Sequence, residues 1–163
     1  MGKELERLSA RDWVLAMLYL AGGKVRGRTR IHKGIFLVHA EVEGVETPTF
    51  EPRDYGPWSL EVDEAINELV EEGLVVMRKE PGGDESPAQV FELSEEGRKR
   101  AEEVISKLRK HPEYARIKLR LTFAAKAPLI NLLAYIYGMY PKYTVRSRIK
   151  RKVSLWRALF RRY

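Results

Sequence analysis

The chain has 163 residues, 44% of them hydrophobic and 33% charged, with 30 Lys and Arg against 23 Asp and Glu and a net charge of +7. A chain of this length and apolar content buries about 70% of its unfolded surface, which favours one soluble globular domain with room for an appendage. With no cysteine it holds no disulfide, thiolate nucleophile, iron–sulfur cluster or Cys-rich zinc site.

The first residues, MGKELERLSARDW, lack an apolar h-region, and no run approaches ~18 apolar residues. The expectation is a cytoplasmic protein without a membrane span. Asn67, Gln89 and Asn131 are the only side-chain amides, while Glu, Lys and Arg abound, a bias that suits a thermophile's cytosol.

Ser9 and Asp12 form an S-x-x-D capping pair ahead of Trp13, Val14, Met17, Leu18 and Leu20, and Gly22-Gly23 stops the run. This predicts one helix with its cap and terminator both visible. A basic connection from Lys24 to Arg30 follows. Ile31, Ile35, Leu37, Val38 and Val42 then mark a second helix ending near Gly44. Residues 44–54 carry Pro48 and Pro52 and read as a loop. Gly56-Pro57 is expected to open a third helix, with Pro at its first position, an apolar stripe of Leu60, Ile66, Leu69 and Val70, and Gly73 as its end. Residues 74–79 (LVVMRK) and 89–93 (QVFEL) flank the turn-rich PGGDESPA and predict a β-hairpin. Ser94 caps a fourth helix to about Lys110. Residues 112–126 predict another, and 128–140 is apolar nearly all round, so it is buried in the fold or in a dimer interface. Pro141 breaks it. Thr144 caps a last helix, on which Val145, Ile149, Val153, Trp156 and Phe160 recur as a stripe in a basic background.

The expected fold is mainly α with a small β-hairpin: a winged helix-turn-helix over 1–110, a helical core or dimerisation segment over 111–141, and a basic amphipathic helix over 142–163. Charge divides the chain the same way. From Tyr114 to Tyr163 there are thirteen basic residues and no acidic one, which leaves 17 basic and 23 acidic residues, net −6, in 1–113. Charge of one sign over so long a stretch repels itself unless a polyanion or acidic partner compensates it.

Two stretches carry a pattern: GRTRIHKGIFLV (27–38) and FEPRDYGPWSLEVDEAINELVEEGLV (50–75). Arg28, Thr29, Ile31, Lys33, Phe36 and Leu37, then Tyr55 to Ser59, then Leu69, Gly73 and Leu74 resemble the archaeal YwgA-like winged-helix proteins and, more distantly, the SocA/Panacea antitoxin-type domain. The later LINLLAYIYGMYPKYTVRSRIK is similar to the C-terminal segment of archaeal members. The resemblance implies nucleic-acid-linked regulation or an antitoxin-like partner role. His32 departs from it, since members often have Gln there.

Each candidate site has a functional and a plain reading. A recognition helix is ordinarily rich in Arg, Lys, Asn and Gln, yet 57–72 carries Glu61, Asp63, Glu64, Glu68, Glu71 and Glu72 and no base. Six carboxylates oppose phosphate contact, so this helix faces a basic protein, the chain's own tail, or solvent. Trp58, Ser59 and Asn67 are the residues there able to touch bases. Lys24, Arg26, Arg28, Arg30 and Lys33 read as a phosphate patch at a helix start, or as a soluble loop. In the tail, Lys142, Arg146, Arg148, Lys150, Arg151, Lys152, Arg157, Arg161 and Arg162 suit phosphate, with Trp156, Phe160 and Tyr163 packing on the body or stacking on bases. A basic amphipathic helix also suits anionic lipid.

Enzymatic signals are thin. His32 and His39 lie two turns, ~10 Å, apart on a helix, too far to share a metal directly, and His111 stands beside Pro112. No nucleotide-loop, zinc-protease or nucleophile-elbow motif occurs. Asp54-Tyr55 reads as turn chemistry with a buried aromatic. The expectation is a non-enzymatic protein without catalytic residues, metal or cofactor. It is expected to bind nucleic acid, by the resemblance as a DNA-binding transcriptional regulator, with an RNA- or ribosome-associated factor and an antitoxin-like protein-interaction adaptor as alternatives, and a homodimer through 128–140 as a further expectation.

Overall fold

A computed structural model describes residues 7–81 and 88–147. Among them are six helices, α1 (Ala10–Leu20), α2 (Arg28–Glu41), α3 (Leu60–Glu71), α4 (Glu95–Leu108), α5 (Tyr114–Lys126) and α6 (Leu129–Met139), and a 3₁₀ turn at Pro141–Tyr143. Five short strands accompany them: β1 (Lys24–Arg26), β2 (Glu51–Arg53), β3 (Gly56–Trp58), β4 (Val75–Glu80) and β5 (Ala88–Leu93). The protein is mainly helical with a small antiparallel sheet in the order β1-β5-β4, and β2 and β3 form a separate two-stranded ribbon.

The helix starts follow from local chemistry. Ser9 Oγ accepts from Asp12 N at 3.1 Å while the Asp12 carboxylate accepts from Ser9 N at 3.0 Å, a reciprocal box worth about 1 kcal/mol. Ser94 Oγ accepts from Gly97 N in the same way at α4. The β4–β5 hairpin pairs Val75 with Leu93 and runs to Glu80 opposite Ala88. Val75 and Phe91, on one face of it, join the main core, while Ala88 and Val90 are buried on the opposite face.

Three expectations are corrected. The basic connection after α1 is not a loop: Lys24–Arg26 is a strand, with Lys24 opposite Glu92, Val25 opposite Phe91 and Arg26 opposite Val90. Residues 51–58 form the β2–β3 ribbon in place of a loop and a helix start. Pro57 therefore lies in β3 opposite Pro52, a place open to proline because both strands are edges. Helix α3 begins three residues later, at Leu60, where the Ser59 hydroxyl accepts from Val62 N at 3.2 Å. Finally, Thr144 is buried and its hydroxyl donates to Pro141 O at 2.8 Å. Of the tail helix expected over 142–163, residues up to Tyr143 belong to the 3₁₀ turn and 144–147 are not helical, while 148–163 lie outside the described residues.

Helix α2 runs through the middle. Every residue from Arg30 to Val38 on it is buried, packed with Trp13 and Met17 of α1 and Leu121 and Ala124 of α5 in the main core. A helix hydrophobic all round is the usual solution at a domain centre. This one instead carries Arg30, His32 and Lys33 inside. Helix α6 is less enclosed than its composition suggests: Leu132, Leu133, Ile136 and Tyr137 face inward, while Tyr135 and Met139 are exposed.

Close approaches explain two glycines. A Cβ on Gly97 would stand 1.8 Å from the Leu74 carbonyl oxygen, and one on Gly34 would stand 2.7 Å from Met17 Cε and 3.1 Å from Ala124 Cβ. Backbone cannot step aside as a thioether can. Gly97→Ala is therefore expected to cost about 3 kcal/mol, and Gly34→Ala about 1 kcal/mol. Urea denaturation followed by circular dichroism measures both, and a larger loss at Gly34 would refute this packing.

Candidate functional site

The first basic patch of the sequence does not form an open cationic surface. Lys24 is exposed on β1. Arg26 pairs with Glu80 at 3.4 Å. Arg28 donates to Asp63 at 2.9 Å, to Asn67 Oδ1 at 2.7 Å and to Gln89 Oε1 at 3.3 Å, which joins the start of α2 to α3 and β5. Arg30 and Lys33 are corrections to the expected phosphate contacts, since both are buried. The Arg30 guanidinium donates to the Ala124 and Ala127 carbonyls at the C-terminal end of α5, where the helix dipole favours a cation. The Lys33 ammonium donates to the Tyr55 carbonyl, beneath the turn between β2 and β3. Lone charges so deep would cost several kcal/mol, and these are met by acceptors from other elements.

Ser59 is likewise corrected as a base contact. It is 1% exposed and its hydroxyl caps α3. Its backbone N–H donates to His32 Nδ1 at 3.2 Å, and His32 Nε2 lies 3.2 Å from Asp63 Oδ1. With Nδ1 accepting, Nε2 carries the hydrogen and donates to Asp63, so the ring is neutral and both nitrogens are occupied. Burial holds the imidazole below its ordinary pKa, against the pull of Asp63. Asp63 itself is held below the usual carboxylate value by the His32 hydrogen bond and then by Arg28. Bonded at both nitrogens, the ring ties α2 to the start of α3.

Trp58 is half-buried. It stacks on His32 with centroids 5.8 Å apart and planes 14° from parallel, and the Arg53 guanidinium carbon lies 4.3 Å from its ring centre. Tyr55, expected to be buried, is exposed. These groups surround a cleft of about 410 Å³ between α2, the β2–β3 ribbon and the segment after α6, with Arg28, Lys33, Arg53 and Arg146 as its cations and Asp54 and Asp63 as its carboxylates. Half of the motif residues quoted for the resemblance, Arg28, Thr29, Lys33 and Tyr55 to Trp58, line this one cleft. Sequence reasoning missed Arg53, Asp63 and His32 as members. The spacing of Arg28, His32 and Lys33 on one helix beside the Y-G-P-W-S turn was the available signal.

The acidic third helix has partners within the fold. Arg11 binds Glu68 and Glu72, Thr49 binds Glu61 through both its N–H and hydroxyl, and Arg28 binds Asp63. Glu64 and Glu71 are exposed. Of the basic C-terminal residues, Lys142 and Arg146 are exposed. Arg148, Lys150, Arg151, Lys152, Trp156, Arg157, Arg161 and Arg162 lie outside the described residues. Among the described residues no three His, Asp or Glu gather as metal ligands, and no helix is long and apolar enough to cross a membrane.

The His32 environment sets a pH dependence. Its folded pKa lies below the unfolded value of about 6.5, so the unfolded chain takes up more protons on acidification, and stability present above that pH is lost as pH falls below it. His39, also lowered by burial, acts in the same direction. In His32→Gln the amide oxygen can accept from Ser59 N–H while the amide nitrogen donates to Asp63. We expect this variant to melt within about 3 °C of the parent at pH 7.5 and to lose less of its Tm between pH 6.5 and 5. Equal acid sensitivity by differential scanning calorimetry would refute the assignment. Set beside known proteins, the chain matches no family model and no curated protein.

Proposed function

We propose that the chain is a non-enzymatic winged-helix protein that binds nucleic acid through its C-terminal cations. The element order α1-β1-α2-β2-β3-α3-β4-β5, in which the β2–β3 ribbon is inserted between the second and third helices and β1 is the third strand beside the hairpin, supports the winged-helix assignment. The observation that carries the binding assignment is the charge division. From Tyr114 to Tyr163 the chain has thirteen cations and no carboxylate. Several of the body's carboxylates are meanwhile engaged by the body's own arginines, as in Arg11 with Glu68 and Glu72, Arg26 with Glu80, Arg28 with Asp63, and Arg78 with Glu80 and Glu92. Arg116 and Arg120 reach Glu113 and Glu41. Lys118, Lys126, Lys142 and Arg146 are exposed and form no ion pair among the described residues.

In this reading α3 corresponds to the helix that ordinarily reads the major groove, and its exposed carboxylates oppose that use. Affinity then comes from phosphate neutralisation, with modest base selectivity. The resemblance to YwgA-like proteins favours a transcriptional regulator on DNA. The acidic α3 favours the second reading, a factor on structured RNA, whose recognition depends on shape and backbone and needs no helix in a groove.

If about six phosphates are neutralised, log K for duplex DNA is expected to fall against log salt with a slope near −5. Replacing Arg148, Lys150, Arg151 and Lys152 by Gln in the full chain is expected to bring that slope to about −2. Fluorescence anisotropy over a salt series measures both, and competition between duplex DNA and structured RNA decides which polymer is preferred. A flat salt response, or no binding to either polymer at 100 mM salt, refutes the proposal.

A further inference from the structure

The cleft takes its lining from α2, the β2–β3 ribbon and Asp63, with Arg146 from the segment after α6, and its chemistry is that of a small-anion site. At its floor the Lys33 side chain is buried, its ammonium turned to the Tyr55 carbonyl. Gly56 closes over it with φ 94°, and a Cβ there would stand 3.2 Å from Tyr137 Cε1 and 3.6 Å from Lys33 Nζ. The positive φ and the nearness of Tyr137 favour glycine at this turn, which lies beside the lysine. At the mouth stand two exposed arginines, Arg53 from β2 and Arg146 from the segment after α6. Four cationic side chains line the cleft against two carboxylates, Asp54 and Asp63. Asp63 is already bound by Arg28 and His32, and Arg53 is shared with Glu51 at 2.7 Å. One wall is aromatic, the Trp58 indole stacked on the neutral His32 ring and covered by the exposed Arg53 side chain, whose guanidinium carbon lies 4.3 Å from its centre and which a base stacking there would displace.

Arginine forks match phosphate oxygens, a buried ammonium adds a fixed charge, and a flat aromatic wall suits a planar base. The volume, about 410 Å³, lies in the range of small-ligand pockets. We infer that this cleft binds a mononucleotide, with Arg53, Arg146 and Lys33 attracting its phosphate and the Trp58–His32 wall taking its base. The inference does not rest on nucleic-acid binding by the C-terminal cations.

Isothermal titration of the full chain at 150 mM salt with adenosine monophosphate, inorganic phosphate and adenosine tests it. The nucleotide is expected to bind with a Kd of about 100 µM or tighter, and phosphate or adenosine alone at least about tenfold more weakly. Arg53→Gln and Arg146→Gln, at exposed positions that leave the core intact, are each expected to weaken the nucleotide about tenfold. Replacement of Arg148, Lys150, Arg151 and Lys152 by Gln is expected to leave nucleotide affinity unchanged, although it weakens polynucleotide binding. No heat up to about 5 mM nucleotide overturns the inference. So does equal affinity for phosphate and nucleotide, indifference to both arginine substitutions, or loss of nucleotide binding in the tail variant.

Discussion

Burying charged side chains on a central helix is the constraint around which this fold is arranged. Helix α2 is enclosed from Arg30 to Val38, and each polar group it takes inside requires an acceptor or donor from a different element. Arg28 finds α3 and β5, Arg30 the end of α5, His32 the start of α3, and Lys33 the β2–β3 turn. At its far end Glu41 accepts from Arg120 of α5 at 3.2 Å and from the hydroxyls of Tyr135 and Tyr140 at 2.7 and 2.6 Å. Burial and the neighbouring Glu41 carboxylate raise the pKa of both phenols, which keeps them protonated as donors. Apolar contacts could tolerate a small rotation of α2. These directional contacts, on several sides at once, do not.

That arrangement changes the electrostatic meaning of the sequence. A run of five cations reads as a patch for an external anion, yet it behaves mainly as a set of internal ties. Of that run only Lys24 is exposed. The contrast with the C-terminal stretch is therefore sharper than net charge suggests. In the body acids and bases alternate and meet each other, whereas after Glu113 no carboxylate is available along the chain.

Much of the helical framework was legible, because caps and terminators are local chemistry: the Ser9–Asp12 box, the Gly22-Gly23 stop and the Ser94 cap all act within a few residues. The strands β1, β2 and β3 were not. At three residues each they are too short for alternation to emerge, and β1 exists only because β5 lies beside it. Pro57 misled for a related reason, since Gly-Pro opens a helix or enters an edge strand equally well and the partner strand decides. The cleft was half legible: the Y-G-P-W-S turn and the Arg28–Lys33 segment were visible as a pattern. That they meet, and that Arg53, Asp63 and Arg146 join them, depends on tertiary packing that no local window contains.

The place of β1 in the sheet has a consequence for how the molecule assembles. This strand sits between α1 and α2 in sequence, yet its neighbour arrives late: Arg28, just beyond it, meets Gln89 across 61 residues. Leu93 N–H also returns to the Gly23 carbonyl at 2.8 Å, at the other end of the same strand. The N-terminal helices thus lack their final register until the hairpin has been made. Loop closure over that separation precedes the contacts that reward it, so acquisition of structure is cooperative and comparatively slow for a protein so rich in helix. On a nascent chain, α1 and α2 wait for β5 before they can lock.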